Sequence, residues 1–192
     1  MTKPTSAILN SQDLMLEWAR QGAIVVGASL FVALCARVTV PLPFTPVPLT
    51  LQNFGVLLVG LALGSKRGFA ALTLYLVEGA SGMPVFNPLG PGGIAQILGP
   101  TGGFLLAYPF AAGAAGLVME HGKKTFARAL AGGFLAEVLL FLGGLSWLAM
   151  VTNSVSQAFR FGLYWFVFAE IIKMMFAASL SAGWERVFKA NS

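Results

Sequence analysis

The fold class is decided by ARALAGGFLAEVLLFLGGLSWLAM, residues 127–150. A transmembrane helix needs about 20 predominantly apolar residues, and this stretch is long enough, with only Arg128 and Glu137 charged. The whole chain of 192 residues is 57% hydrophobic and 10% charged. A soluble domain carries about 25% charged residues, which cover its outer faces. We therefore predict an all-α integral membrane protein.

Outward from this stretch, five further apolar segments predict a six-helix membrane bundle in one domain, residues 1–192. Pro41–Pro48 (PLPFTPVP) and the Gly- and Pro-rich segment Gly79–Gly103 interrupt the helices, because proline removes a backbone donor and blocks the preceding turn. A short interfacial helix is expected over residues 9–19, and a linker over Val151–Phe161. The predicted spans are Ala23–Val40, Leu49–Leu63, Phe69–Gly79, Phe104–Met119, Ala127–Met150 and Gly162–Trp184.

Basic residues divide the loops of this arrangement into two groups. Cytoplasmic loops are enriched in Lys and Arg, and with both termini inside, nine of the 12 basic residues are cytoplasmic. Arg37 and Arg160 are outside, and Lys173 lies within a span. We therefore predict a multi-pass protein of the cytoplasmic membrane with cytoplasmic N- and C-termini. The nine residues are Lys3, Arg20, Lys66, Arg67, Lys123, Lys124, Arg128, Arg186 and Lys189.

Four ionisable residues remain at membrane depth: Glu78, Glu137, Glu170 and Lys173. A charge at the centre of a transmembrane helix costs about 2.5–3.5 kcal/mol, so such residues usually face a cavity, a partner or a pathway. Glu170 and Lys173 are three residues apart and share one helix face. Either they neutralise each other in a contact between helices, or they face a ligand that offers both donors and acceptors. Glu78 and Glu137 fit isolated protonated carboxyls, or else Glu78, which is near a span end, reaches water; we expect ligand contact from neither.

The segment Gly79–Gly103 is the second candidate for a binding site. Irregular backbone at membrane depth is tolerated where it is buried in protein or lines a cavity. This segment contains Asn87, Gln96 and Thr101 among its Gly and Pro residues. It is either a flexible link or a shaped wall of a pocket, and its prolines favour the wall. Because Pro41–Pro48 lies on the same outer side, we expect a site that opens outward.

The first span contains small residues at positions that suit close helix packing. Ala23 and Gly27 are four residues apart, as are Ser29 and Ala33. Such small-xxx-small patterns let two helices approach closely. The pattern serves either internal packing or docking to another membrane protein.

Enzymatic and metal-dependent functions have little support in the sequence. His121 and Cys35 are the only histidine and cysteine, so no His/Cys metal cluster or Cys/His catalytic pair can form. Gly122–Thr125 (GKKT) lacks the first glycine and the Ser/Thr spacing of a phosphate loop. We expect no enzyme activity, no cofactor and no metal. The net charge of +5 reflects loop topology rather than nucleic-acid binding.

Three stretches resemble the BioY family, the substrate-binding (S) components of biotin transporters of the energy-coupling-factor type. They are VPLPFTPVPLTLQNFGVLLVGLALGSKRG (Val40–Gly68), LYLVEGASGMPVF (Leu74–Phe86) and LGPTGGFLLAYPFAA (Leu98–Ala112). The Pro-rich loop and LGPTGG are the most specific parts, and the similarity extends over nearly the whole chain. The resemblance implies six helices, a biotin site near the outer surface, and coupling to a transmembrane scaffold (T) protein and two cytoplasmic ABC-type ATPase domains.

The resemblance also implies site residues. The family's last helix has an acidic residue three positions before a lysine, both near the ligand, and here the motif is Glu170-Ile171-Ile172-Lys173. The family more often has Asp, so Glu170 extends its carboxylate one methylene further. An Asn of the family's binding loop corresponds to Asn87. The expected ligand-binding residues are Glu170, Lys173, Asn87, Phe86, Gln52 and Phe44.

The chemistry of biotin suits these residues. Its ureido ring has two N–H donors and one carbonyl, its thiophane ring is apolar, and its tail ends in a carboxylate. Glu170 and Asn87 suit the ureido group, while Lys173 suits either the ureido carbonyl or the tail. The small residues Ala23, Gly27, Ser29 and Ala33 are the candidate contact with the scaffold protein.

Two other functions remain open on sequence grounds. One is a stand-alone secondary biotin transporter, in which Glu137 or Glu78 would couple transport to protons. The other is a structural membrane protein that binds no ligand. We predict the biotin-binding S component.

Overall fold

Helices make up nearly all of the computed structural model, which describes the backbone of residues 11–190 and the side chains of residues 11–183. Within these residues, eight helices are joined by loops and by one antiparallel ladder that pairs Thr39 with Thr50 and Val40 with Leu49. The elements are α1 (Ser11–Arg37), β1 (Thr39–Val40), β2 (Leu49–Thr50), α2 (Gln52–Leu63), α3 (Ser65–Ala80), α4 (Gly93–Leu98), α5 (Gly102–Glu120), α6 (Phe126–Thr152), α7 (Val155–Gly162) and α8 (Val167–Ala190).

Several predicted boundaries are wrong. The interfacial helix expected over residues 9–19, of which 9 and 10 lie outside the described residues, is continuous with the first span in α1. That span ends at Arg37 rather than Val40, because the next residues pair with Leu49 and Thr50 and prolines follow. The same pairing delays the start of the second helix to Gln52.

The expected linker Val151–Phe161 is also wrong, because it contains most of α7. Asn153, with φ 51°, ends α6 in the left-handed conformation, and the Ser154 hydroxyl accepts a hydrogen bond from the Gln157 N–H at 3.3 Å. These are typical signals for a helix end and a new helix start. Helix α8 consequently begins at Val167, five residues later than expected, and is bent by 51° from α7.

Helix lengths support a multi-pass membrane protein. Among the described residues, α1, α5 and α6 are long and apolar enough to cross a bilayer, and the bent pair α7–α8 gives a fourth span if it is counted as one. Helix α2 has 12 residues. At 1.5 Å per residue it extends only about 18 Å, less than the ~30 Å hydrocarbon core.

The central helix of the bundle is α5. In its most apolar 18-residue window 67% of residues are buried, against 28% in α1 and α6. It packs against α2, α3 and α6, and glycines permit direct backbone contact. A Cβ on Gly60 would lie 2.4 Å from the Ala112 carbonyl oxygen, and one on Gly103 would lie 2.3 Å from that of Gly143. Such close approach fixes α5 against its neighbours.

The bundle has two different ends. At the basic end, formed by the α2–α3 corner and the α5–α6 link, the Glu120 carboxylate accepts hydrogen bonds from the Ser65 N–H at 2.7 Å and from its hydroxyl. At the opposite, loop end, residues 39–50 and 81–101 cover the helix termini. The Thr45 hydroxyl donates to the Phe161 carbonyl at 2.7 Å there, which attaches the Pro-rich loop to α7.

Candidate functional site

Glu170 and Lys173 form a buried ion pair beneath the loop end. The Lys173 ammonium donates to Glu170 Oε1 at 2.7 Å and to the Thr50 carbonyl oxygen at 2.6 Å. Their exposed fractions are only 3% and 8%. The sequence predicted that this pair shares a helix face, whereas the contact with the β2 backbone follows from the tertiary fold.

The start of α8 places Glu170 where a carboxylate is favoured. Glu170 lies in the first turn of α8, and its N–H donates to the Phe166 carbonyl at 2.8 Å. Unpaired N–H groups give a helix N-terminus partial positive charge, which stabilises a nearby carboxylate. This helix start follows the bend of 51° between α7 and α8, and Glu170 is buried there.

A small cavity of about 40 Å³ adjoins Glu170. Its wall combines residues from the Pro-rich loop, from α2, α5, α6 and α8, and from the loops between helices. The lining residues are Val47, Pro48, Thr50, Gln52, Asn53, Asn87, Thr101, Phe104, Leu105, Tyr108, Phe141, Gly162, Phe166 and Glu170.

A second cavity of about 260 Å³ lies between the two loops. It shares Pro48, Asn87 and Thr101 with the smaller one, so these three residues separate the two spaces. Pockets for small ligands usually measure about 300–1,000 Å³. The smaller cavity alone is too small for a vitamin-sized molecule, and the larger one adjoins it.

Polar side chains around the smaller cavity are held by hydrogen bonds. The Gln52 amide donates to the Tyr75 hydroxyl at 2.8 Å, and Tyr75 donates to the Val85 carbonyl at 2.9 Å. The Tyr108 hydroxyl donates to Asn53 Oδ1 at 2.9 Å. These bonds fix the side chains before any ligand arrives, which lowers the entropic cost of binding.

One oxygen at the cavity is left without a donor. Glu170 Oε2 is fully buried and accepts no hydrogen bond from the described residues. A buried polar atom without a partner is costly, so this oxygen is suited to accept a hydrogen bond from a ligand. Asn87 lies in the same wall, where its Oδ1 accepts from the Leu89 N–H at 3.2 Å.

The structure brings some of the predicted site residues together and separates others. Glu170, Gln52 and Asn87 line the cavity, and Lys173 is attached to it through Glu170 and the Thr50 carbonyl.

Two aromatic candidates pack elsewhere. The Phe86 ring contacts Tyr75, with centroids 5.4 Å apart, and Phe44 packs on Trp165 at 4.2 Å. Neither ring is among the cavity's lining residues.

The sequence interpretation did not single out several lining residues. Asn53 and Tyr108 are polar side chains within apolar helices, and this could have identified them. Phe104, Phe141 and Phe166 had no such signal, because the chain contains 16 phenylalanines and most only pack. Together they give the cavity an apolar frame around a few polar atoms, the usual composition of a small-molecule site.

The small residues of the first span do not form one surface. Ser29 and Ala33 are buried inside the bundle, and the Ser29 hydroxyl donates to the Glu78 carboxylate. Ala23 and Gly27 are exposed. The predicted docking surface of four small residues is therefore wrong for Ser29 and Ala33. Both are buried against other helices of this chain, so they serve internal packing and cannot contact a partner protein.

Comparison with known proteins places the chain in a family. A family model described as the BioY family matches residues 4–190. The chain is 42% identical over 146 residues to a probable biotin transporter BioY of Pyrococcus horikoshii, which covers 76% of this chain and 85% of that protein. It is 34% identical over 158 residues to the biotin transporter BioY of Thermotoga maritima, covering 82% and 92%.

The fold is also similar to a solved structure. The crystal structure of the S-component for biotin from an ECF-type ABC transporter matches with a TM-score of 0.80 and 22% identity, over 89% of this chain and 93% of that one. The likeness concerns the arrangement of helices, while the family model and the relatives concern the sequence. On their agreement along nearly the whole chain, this protein belongs to the BioY family.

Proposed function

We propose that this protein is the biotin-binding S component of an energy-coupling-factor transporter and mediates biotin uptake. The main observation is the buried Glu170–Lys173 pair, whose Oε2 atom lacks a donor beside a cavity of the loop end. The names of the relatives support biotin as the ligand. The protein is a transporter component rather than an enzyme, and biotin is its cargo rather than a cofactor.

The ureido group of biotin matches the polar atoms of the wall. Its N–H groups would donate to Glu170 Oε2, and Asn87 offers an amide that both donates and accepts. Lys173 would meet the ureido carbonyl or the tail carboxylate once it exchanges its bond to Thr50. The phenylalanines of the wall would cover the thiophane ring. We retain Phe44 and Phe86 as residues of the two loops that close over the ligand.

We propose one substrate-binding domain over residues 1–192, with six spans and both termini cytoplasmic. The six longer helices α1, α2, α3, α5, α6 and α8 occur in the predicted order. Lys66, Arg67 and Lys123 lie at the basic end, which would be cytoplasmic under the positive-inside rule. The loop end and its cavities would then face outward. The short helix α2 is compatible with such a bundle where the protein itself covers its ends.

Uptake would depend on partner proteins in the membrane and cytoplasm. We propose a transmembrane scaffold (T) protein and ABC-type ATPase subunits, with the scaffold docking on the exposed Ala23 and Gly27 of α1. Small residues on a lipid-facing helix permit a close helix–helix contact. A reorientation driven by these partners would release biotin inward.

Two measurements test the ligand. Mass spectrometry of small molecules extracted from the purified protein should detect biotin. Titration with biotin should show a loss of about 100-fold or more in affinity for Glu170→Ala, because the ligand N–H and Lys173 both lose their acceptor. Glu78→Ala is the matched control, since Glu78 bonds Ser29 away from the cavity. Unchanged affinity in Glu170→Ala would remove this residue from the site.

A stand-alone secondary transporter is the second candidate, and Glu137 is the observation that favours it. Its carboxyl is buried at membrane depth without a donor among the described residues. A proton-coupled carrier would take up biotin without partner proteins, and an uncoupler or Glu137→Gln would stop it. The S component predicts uptake that requires the scaffold and ATPases and persists in Glu137→Gln.

A further inference from the structure

Glu137 of α6 and Glu170 of α8 line the same cavity between α6, α7 and α8. Both side chains are buried, and the exposed fraction of Glu137 is 7%. Among the described residues, neither Glu137 oxygen has a donor, and neither has Glu170 Oε2. Three carboxyl oxygens at one cavity are therefore without a hydrogen atom to accept. If one of the two carboxyl groups is protonated, its O–H can donate a hydrogen bond to the other, whereas two ionised carboxylates can only accept.

The charged and titratable neighbours of the two carboxyls hold other partners. From α8, Lys173 donates to Glu170 Oε1 and to the Thr50 carbonyl, and its third N–H bonds neither Glu137 nor Glu170 Oε2. From α5, the Tyr108 hydroxyl donates to Asn53. Among the described residues, Lys173 and Tyr108 are the charged and titratable groups beside the two carboxyls. Two ionised carboxylates beside one ammonium would leave an uncompensated buried charge, which is strongly unfavourable.

The cavity on the other side of the pair is apolar. It measures about 550 Å³, lies between α6, α7 and α8, and reaches both Glu137 and Glu170. Apart from these carboxyls and Ser146, its wall consists of hydrocarbon and aromatic side chains. Phe134, Leu142 and Val155 of this wall are exposed, so the space opens on the apolar outer face of the bundle, and its wall supplies few hydrogen-bond donors.

We propose that Glu137 is a neutral carboxylic acid whose O–H donates to Glu170 Oε2. Glu137 is then a positioning residue for Glu170, the carboxylate that binds the ligand. This role rests on the proposed function in biotin binding. A bond from a neutral acid to a carboxylate is short and strong, and it would fix the Glu170 rotamer. Each carboxylate oxygen has two lone pairs, so Glu170 Oε2 can still accept an N–H from the ligand.

Infrared difference spectroscopy tests the proton directly and without biotin. The spectrum of wild-type protein minus that of Glu137→Gln, recorded at neutral pH, should contain the C=O stretching band of a protonated carboxylic acid. The band should shift when the sample is equilibrated in deuterium oxide. Glu78→Gln is the control that removes a carboxyl outside the cavity and should retain the Glu137 band. A difference spectrum with only carboxylate bands would overturn the proposal.

Biotin affinity tests whether Glu137 acts through Glu170. Glu137→Gln should bind within about threefold of wild type, because its amide can still donate. Glu137→Leu should bind roughly 10- to 100-fold more weakly, because Glu170 Oε2 loses its donor. In a Glu170→Gln background, Glu137→Leu should cause little further loss. Equal losses in the Gln and Leu variants, or fully additive losses in the double variant, would overturn the positioning role.

The two experiments separate this inference from the proposed function. If wild-type protein binds no biotin, the proposed function fails, while the infrared band still decides whether Glu137 holds the proton. Thermal unfolding of each variant in detergent identifies misfolded protein. If Glu137→Leu does not fold, Glu137→Gln, which preserves size and neutrality, still decides the proposal through the infrared difference spectrum.

Discussion

The loop end and the basic end of this bundle treat their polar groups in opposite ways. At the loop end, Glu170 and Lys173 are almost fully buried, and Lys173 is bonded to a carbonyl 123 residues earlier in the chain. At the basic end, Glu120 is exposed and bonds Ser65 across the α2–α3 corner. One end keeps charge out of water, and the other leaves it there.

The difference supports the proposed binding site at the loop end. Burying an ion pair seldom stabilises a protein relative to apolar side chains of similar volume, because desolvation cancels most of the attraction. Glu170 and Lys173 are buried next to a cavity, and Glu170 Oε2 has no donor, so under the proposed function the cost of burying this pair serves ligand recognition. Exposed charges at the basic end cost little, so they can serve orientation in the membrane and solubility of the loops.

The largest difference between the two ends should appear when a lysine is replaced at each. Lys173→Met leaves the Glu170 carboxylate buried without its cation, which should cost about 3–5 kcal/mol in stability and abolish measurable biotin binding. Lys66→Met removes an exposed charge and should change affinity by less than about twofold. Biotin titration and thermal unfolding in detergent measure both. Similar losses in the two variants would contradict the contrast between the ends.

A smaller difference should follow from adding one methyl group at each end. In Gly79→Ala the new Cβ would lie 2.0 Å from the Phe86 ring, which must move and displace the neighbouring Asn87. We expect a loss of about 1–3 kcal/mol in stability and weaker biotin binding.

Gly113→Ala is the matched control for this change, because its Cβ would lie 3.6 Å from Phe69, an ordinary contact. Thermal unfolding and biotin titration should leave it close to wild type. Biotin affinity in Gly79→Ala equal to that of the control would show that the loop beside Phe86 tolerates displacement.

The smallest effect is expected at the basic end itself. Ser65→Ala removes the hydroxyl donor to Glu120 but keeps the backbone N–H at 2.7 Å, so the loss in stability should be less than about 1 kcal/mol. Biotin affinity should not change. A clear loss of biotin affinity in the same titration would mean that the α2–α3 corner at the basic end influences the cavity beside Glu170.

Much of the fold could be predicted from the sequence because apolar length and proline position are local signals. The apolar stretch at residues 127–150 became α6, and the prolines of Pro41–Pro48 ended the helix before them. Helix boundaries were less predictable. The pairing of Thr39 with Thr50 moved the end of α1 to an earlier residue and the start of α2 to a later one. Helix α7 formed inside an expected linker, where Ser154 provides the helix-start signal.

The lining of the candidate cavity was also predicted in part from the sequence. Glu170 and Lys173 were identifiable because charge within an apolar helix is expensive, and i, i+3 spacing places them together without tertiary information. Phe44 and Phe86 do not line the smaller cavity, because an aromatic residue in a loop packs on whichever ring the fold brings near. Trp165 and Tyr75 are those partners here.

The sequence by itself determined a helical membrane protein, the division of its basic residues between loops, and a charge pair in its last helix. All three features depend on how water and lipid solvate single segments, and the amino-acid sequence of each segment sets that solvation energy. Only the tertiary structure decided that Lys173 bonds Thr50, that Glu137 and Glu170 line one cavity, and that Ser29 donates a hydrogen bond to Glu78. Such contacts join residues far apart in the chain, and their geometry depends on how closely the helices pack around α5.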